Sequence, residues 1–285
     1  MDLKGNLVVL LDGILKCVPF AIRKRAYGLP LVENAMRWAL NHIVGRDWER
    51  PVTITAGYLK GLRINMRGSF MKAFWLGTYE EHLQRIFVDR VKEGMVVLDC
   101  GAYIGFFTLL FAKLVGRNGK VFAFDPDPET RVALQKNIDL NRFNDRVTIS
   151  EYALSDRTGE VTFIAEGKSV SRLTGLGRRE DKGPVIRVQS ITLDEFCEKH
   201  GVRADLIKMD IEGAEGIALE GARKTLAEVH PLVVCEIHTE CAAKTVYSVL
   251  REAGYDNLYL VKERTMKEWR PEKISNYTYH IFAEW

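Results

Sequence analysis

Four side chains able to take a proton or hold a cation fall at two points where an apolar run stops. "LIKMDIEGAE" carries Asp210 and Glu212, and "LVVCEIH" closes on Glu236 with His238 just beyond. Both runs read as strands, and open α/β sheets hold their ligands beyond such strand ends. Three readings stay open on residue type alone. Asp210 or His238 can act as general base toward a hydroxyl. Asp210, Glu236 and His238 can instead hold a divalent cation that acidifies the hydroxyl. Or Asp210 and Glu212 are helix-capping acids, favourable to the dipole of the helix after Gly213. His280, in the alternating "YTYHIFAE", reads as a structural residue of an edge strand. No proline or amide follows the strand before "DIEG", so an exocyclic amine is a poorer acceptor than a hydroxyl.

A second constellation lies upstream. In "VVLDCGAYIGFFTLLFAK" an apolar strand runs into Asp99, then Gly101 and Gly105, then an apolar helix. The glycines let backbone approach a ligand closely, and the helix start offers unpaired N–H groups. "VFAFDPDP" ends the next strand on Asp125, where an acid can take ribose hydroxyls. A P-loop needs a lysine and a serine or threonine after its last glycine, and none follows Gly105. A dinucleotide loop has a glycine where Tyr103 stands. A ligand with a ribose and no pyrophosphate fits better, and S-adenosylmethionine is the common one.

These residues need a sheet to position them. From residue 95 onward apolar runs alternate with amphipathic helical stretches, predicting a parallel sheet covered on both faces. "GEVTFIAEG" and "PVIRVQS" read as an inserted hairpin around the Gly/Arg-rich stretch 171–184, and the last two strands, "NLYLVK" and "YTYHIFAEW", pair antiparallel. Before residue 95, "PVTITAGYLKGLRINMR" reads as a hairpin, and "TYEEHLQRIFVDRVKEG" as a helix capped by Thr78 and closed by Gly94. Residues 1 to about 50 read as helical.

The 285 residues carry a formal charge of +3, with 47% hydrophobic and 28% charged residues. That is a globular balance and gives no strong nucleic-acid signal. Five cysteines, without a CxxC pair, predict neither a disulfide framework nor a zinc site and fit the reducing cytoplasm. No stretch reaches the roughly 18 unbroken apolar residues of a transmembrane segment. "NLVVLLDGILKCVPFAIRKRAYG" comes nearest, but its basic residues follow the apolar run, the wrong order for a signal peptide. It reads as a helix packed on its own domain, with membrane-surface contact through residues 7–25 as the alternative. The sequence carries no signal for an oligomeric state.

The ordered set "VLDCGAYIGFFTLLFAK", "VFAFDPDP", "LQKNIDLN", "YALSD", "ITLDEF" and "LIKMDIEGAE" resembles the FkbM family of S-adenosylmethionine-dependent methyltransferases, from about Gly57 onward. "GTYEEHL", holding Glu80, resembles the segment that precedes the domain in that family. The resemblance implies an α/β class I methyltransferase, a Rossmann-like seven-stranded sheet with its last strand antiparallel. The domain would span 57–285, with an inserted hairpin and loop at about 160–190, after an N-terminal helical appendage, 1–56. Asp99, Gly101, Ala102 and Gly105 would line the methionine and ribose side of the cofactor, with Glu80 and Tyr103 nearby. Asp125 would take the ribose hydroxyls, Pro126 would shape the adenine pocket, and Ala153 and Leu154 would pack beside it. Asp210 and Glu212 would face the reacting end. Tyr103 departs from the family, which usually has asparagine there. The implied reaction is O-methylation of a hydroxyl, on a small-molecule or glycan acceptor, most often a sugar. Arg172, Arg178, Arg179 and Lys182 form either a lid over an acidic sugar carrier or a solvated loop. An RNA methyltransferase and a non-catalytic S-adenosylmethionine-binding protein are the competing functions.

Overall fold

The structure is a computed structural model that describes residues 49–67, 72–164, 172–173, 184–262, 265–271 and 278–285. The expected helices before residue 49, the apolar stretch 7–25, and Arg178, Arg179 and Lys182 lie outside the described residues. The chain divides into two compact units, 1–84 and 85–285.

In the first unit β1 (Glu49–Thr53) and β2 (Arg63–Arg67) pair antiparallel with Val52 opposite Ile64, the hairpin that their alternation predicts. A short helix, α1 (Lys72–Leu76), follows. Gly77 has φ 72°, and a Cβ there would sit 2.0 Å from the Ala56 carbonyl oxygen, so only glycine lets the two segments touch. Thr78 does not cap the next helix. Its N–H closes α1 on Ala73, Glu80 takes a left-handed φ of 43°, and α2 (Glu81–Arg90) starts beyond both.

The second unit is built on β3 (Val96–Cys100), α3 (Phe106–Leu114), β4 (Lys120–Phe124), α4 (Pro128–Asn141) and β5 (Val147–Ser150). An inserted part holds β6 (Ala153–Leu154), β7 (Gly159–Ile164), β8 (Arg172–Leu173) and β9 (Val185–Ile191). Then come α5 (Leu193–His200), β10 (Leu206–Met209), α6 (Glu215–Glu220), α7 (Arg223–Val229), β11 (Leu232–Ile237), α8 (Glu240–Glu252), β12 (Asn257–Val261), β13 (Met266–Glu268) and β14 (Tyr279–Glu284).

The main sheet runs β13-β12-β14-β11-β10-β3-β4-β5. The β5, β4, β3, β10 and β11 strands are parallel, and β14 lies antiparallel between β11 and β12. The expected seven strands are present. An eighth, β13, is added at the edge, where Lys262 and Thr265 exchange backbone hydrogen bonds and turn the chain back on β12. The predicted inserted hairpin is β7 and β9, in a separate four-stranded sheet.

Sequence dictates the centre of this sheet. Val97, Leu98 and Cys100 on β3 and Leu206, Ile207 and Met209 on β10 are wholly buried, as strands covered on both faces require. Asp127 accepts from the backbone N–H groups of Glu129 and Thr130 at the start of α4, where Pro128 follows. From β3 the chain winds out to β5, then returns to lay β10 on the other flank of β3. Doubly wound sheets bind ligands beyond such a reversal, which here lies past Cys100 and Met209. Among the described residues no helix is long and apolar enough to cross a membrane.

Candidate active site

The loop after β3 is held from three sides. Phe124 accepts backbone hydrogen bonds from Gly101 (3.0 Å) and Ala102 (2.9 Å), and the Asn137 amide donates to the Ile104 carbonyl at 2.7 Å. Gly101 has φ 80°, and a Cβ on it would lie 1.7 Å from the Asp210 carbonyl oxygen. Only a glycine therefore allows the loop to lie against the end of β10. Gly105, at φ 90°, precedes α3 and supplies no side-chain cap, which leaves that helix start to a ligand.

Asp125 ties the loop to the end of β4. Its Oδ2 accepts from the Tyr103 backbone N–H and its Oδ1 from that of Asp127, each at 3.0 Å. Burial drives its carboxyl up to about 7, against the pull of those two N–H groups. Each oxygen keeps a lone pair for a hydroxyl donor. Tyr103 has φ 50°, a conformation that asparagine tolerates better than tyrosine. The backbone of this position thus makes the tie to Asp125 whichever side chain it carries. Asp99 accepts from Thr108 Oγ1 at 2.5 Å through Oδ2, while its buried Oδ1 has no hydrogen-bond partner. Burial raises this carboxyl also, opposed by Lys208.

Lys208 joins the two constellations. Its ammonium donates to the Gly101 carbonyl at 2.9 Å and stands 3.5 Å from Asp99 and 3.6 Å from Asp210 Oδ2. Beyond it, His238 Nε2 faces Asp210 Oδ1 at 3.8 Å, Glu212 Oε2 at 3.7 Å and Glu236 Oε1 at 3.6 Å. On its other side Nδ1 meets Glu215 Oε1 at 2.7 Å, and that oxygen also accepts from the Gly213 N–H at 2.8 Å. His280 Nε2 lies 3.4 Å from Glu236 Oε2.

Burial pulls the His238 imidazole down, but the Glu215 hydrogen bond and charge, with Asp210 and Glu236, outweigh it and carry it up to about 9. Burial also raises Glu236, yet His280, His238 and Lys208 hold it down at about 2. Asp210 is raised by burial, with Lys208 opposing and Glu236 adding to the rise. At neutral pH His238 is accordingly an imidazolium among carboxylates.

Asp210, Glu212, Glu236 and His238, drawn from two separate sequence segments, thus meet at one point. Capping is not their role: Ala214 precedes α6 with no side-chain cap, and Glu215 is the acid that engages the Gly213 backbone. Ala102 is buried in the loop, Ala153 and Leu154 are buried on β6, and the Pro126 carbonyl accepts from Arg131 at 2.7 Å. Glu80 belongs to the first unit, in the left-handed turn before α2. Sequence reasoning passed over Lys208 and Glu215 and set His280 aside as structural. A lysine inside the apolar run "LIKMD" was the available signal, since a lysine is fully buried only when paired.

A doubly wound sheet with an antiparallel strand inserted beside β11, and a glycine loop and buried acid at its reversal point, is the form of an S-adenosylmethionine-dependent methyltransferase. Residues 99–256 match the Methyltransferase FkbM domain, and the chain belongs to that family. Hexuronic acid methyltransferase AglP of Haloferax volcanii is 30% identical over 175 residues, 61% of this chain and 69% of that protein. The 2-O-methyltransferase NoeI of Sinorhizobium fredii is 29% identical over 172 residues, covering 55% and 67%. The 31-O-demethyl-FK506 methyltransferase FkbM of Streptomyces tacrolimicus is 29% identical over 210 residues, covering 60% and 80%.

Proposed function

We propose that the protein methylates a hydroxyl of a sugar, in a glycan or a sugar-bearing metabolite, and that Asp210 and Glu212 receive the proton that hydroxyl loses. One observation carries this reading: the carboxylates of Asp210, Glu212 and Glu236 converge on His238 directly beside the Gly101 loop. Two relatives are named for an O-methyl position and one for a hexuronic acid, which supports an oxygen acceptor.

The residues present suit S-adenosylmethionine. Asp125 offers acceptors to ribose hydroxyls, the Gly101–Gly105 loop admits close backbone approach, and Asp99 Oδ1, ion-paired with Lys208 but not hydrogen-bonded, can accept from an ammonium. Ala102, Tyr103, Pro126, Ala153 and Leu154 shape the remaining walls, with Glu80 carried over from the family motif alone. Bound there, the cofactor would supply an electrophilic methyl group on a sulfonium, with a neutral thioether as the leaving group when the acceptor oxygen takes the methyl carbon. The chain's own task is to align that oxygen, exclude water and take its proton, and alignment alone can supply several kcal/mol. His238, already protonated, cannot take the proton. It holds the acids in place instead. The buried, unbridged thiols of Cys100, Cys197 and Cys235 support a reducing, cytoplasmic setting.

The test uses methyl-labelled S-adenosylmethionine, a fractionated host lysate and an Asp210→Asn variant. The wild-type protein is expected to label the glycan or metabolite fraction. The variant is expected to lose at least about a hundredfold in turnover while cofactor affinity stays within a few-fold, as removal of a catalytic base implies. Label confined to RNA, or full turnover by the variant, would contradict the reading.

A further inference from the structure

We propose that Asp210, Glu236 and His238 bind a divalent metal cation of the manganese type. One oxygen from each acid and one imidazole nitrogen lie within 4.8 Å of one another. The two acids stand 3.6 and 3.8 Å from His238 Nε2, too far for hydrogen bonds. Ligands bound at about 2.1 to 2.4 Å around one ion lie about 3.0 to 3.4 Å apart when adjacent. Bringing each acid and Nε2 onto a common ion therefore closes their separations by less than 1 Å.

Sequence and fold place the donors. In the parallel pair β10 and β11 Met209 stands beside Cys235, so the residues that follow, Asp210 just past β10 and Glu236 within β11, stand side by side. Glu215 then fixes the imidazole. Its carboxylate accepts from Nδ1 at 2.7 Å, which turns Nε2 toward the acids. A carboxylate behind a ligating histidine is the usual outer-shell partner of a metal site.

A second observation supports a cation here. The Glu215 side chain is fully buried and aimed at His238, yet its Oε2 has no hydrogen-bond partner. Around it Asp99, Asp210, Glu212 and Glu236 bring the carboxylates to five, facing Lys208 and two imidazoles. Binding of the ion displaces the proton from His238 Nε2, since only the neutral imidazole has a lone pair to give. Two oxygens and one imidazole nitrogen, without sulfur, suit Mn²⁺ or a similar hard-to-borderline ion. Three protein ligands leave coordination positions open, where a hydroxyl can bind and become more acidic. Glu212, 3.7 Å from the same nitrogen, then stands outside the ligand set and takes the proton, with Asp210 engaged by the ion. That catalytic use rests on the methyl-transfer reading above, whereas the binding itself does not.

The test titrates Mn²⁺ into the tag-free full chain after EDTA and dialysis, and follows free Mn²⁺ by electron paramagnetic resonance. One tight site per chain is expected. Glu236→Gln and His238→Gln should each weaken it at least tenfold, and Glu215→Gln by about tenfold, the usual cost of losing an outer-shell partner. Calorimetric binding of S-adenosylmethionine by each variant shows that the fold is kept, and Glu236→Asp should restore part of the Mn²⁺ affinity. No bound Mn²⁺ in wild-type protein that binds S-adenosylmethionine would overturn the proposal, as would unchanged binding in Glu236→Gln and His238→Gln. Methyl transfer that persists in EDTA, with no Mn²⁺ site, would sink the cation and leave the transferase standing. A Mn²⁺ site in a chain that transfers no methyl group would do the reverse.

Discussion

Asp125 was legible as an acid at a strand end, but its protonation was not, because that depends on burial. Held at about 7, it is half protonated near neutrality, and only the ionised form accepts two ribose hydroxyls fully. A carboxyl whose folded value is raised contributes stability that is present below its ordinary value of 3.8 and lost as pH rises through about 7. The cofactor-free protein should therefore lose stability between about pH 4 and 7, while S-adenosylmethionine binds more tightly as the pH rises through about 7. Calorimetry at about pH 6 and 8 should show several-fold stronger cofactor binding at the higher pH, a trend that Asp125→Asn flattens. Tyr103 makes a second case at this scale. Its left-handed φ of 50° holds backbone strain of about 1 kcal/mol that asparagine would relieve. Because the tie to Asp125 runs through the backbone N–H, Tyr103→Asn should raise stability in denaturant by about that amount and leave cofactor affinity within a few-fold.

At the scale of elements, alternation and apolar runs announced β1, β2, β3, β4, β10 and β11, because burial on one or both faces leaves a direct mark on residue type. Thr78 misled because a capping residue is readable only when the chain enters a helix beside it, and here the left-handed Glu80 intervenes. What two elements do to each other was not readable at all. Lys208 on β10 stands in register with Asp99 on β3, and this pairing turns a lone charge in an apolar run into a tie between loop and acids. Lys208→Met would leave Asp99 and Asp210 buried without their ammonium. A loss of about 3 kcal/mol in denaturant unfolding is expected, since breaking a buried pair strands its partner. The loss should shrink at low pH, where both acids take up protons, and cofactor affinity should fall with the loosened Gly101 carbonyl.

Across the whole molecule, the resemblance to the FkbM family covered the sheet order and the glycine loop. The histidine and carboxylate cluster was legible instead in the residue types at two strand ends, and what the sequence did not show is the register of β10 on β11 that sets Asp210 beside Glu236. The cysteines follow the same division between core and surface. Cys100 and Cys235 are wholly buried in the sheet, and burial pushes both thiols well above their ordinary range. Cys241 is exposed. Among these three, a thiol reagent should modify Cys241 alone in the native protein and reach the other two only on unfolding. Peptide mapping after brief alkylation, with and without denaturant, reads this directly.

The position of β14 governs when the molecule can be finished. It is the last of these strands in sequence, yet it lies in the interior of the sheet, bonded to β11 on one side and β12 on the other. On the ribosome, β11 and β12 are made first and wait with bare edges, the state most open to pairing with a neighbouring chain. His280 rides on β14 and reaches Glu236 only when that strand slots in. The polar cluster is thus completed by the same event that closes the sheet, and a nascent chain cannot hold its finished form while residues 279–284 are still in the exit tunnel.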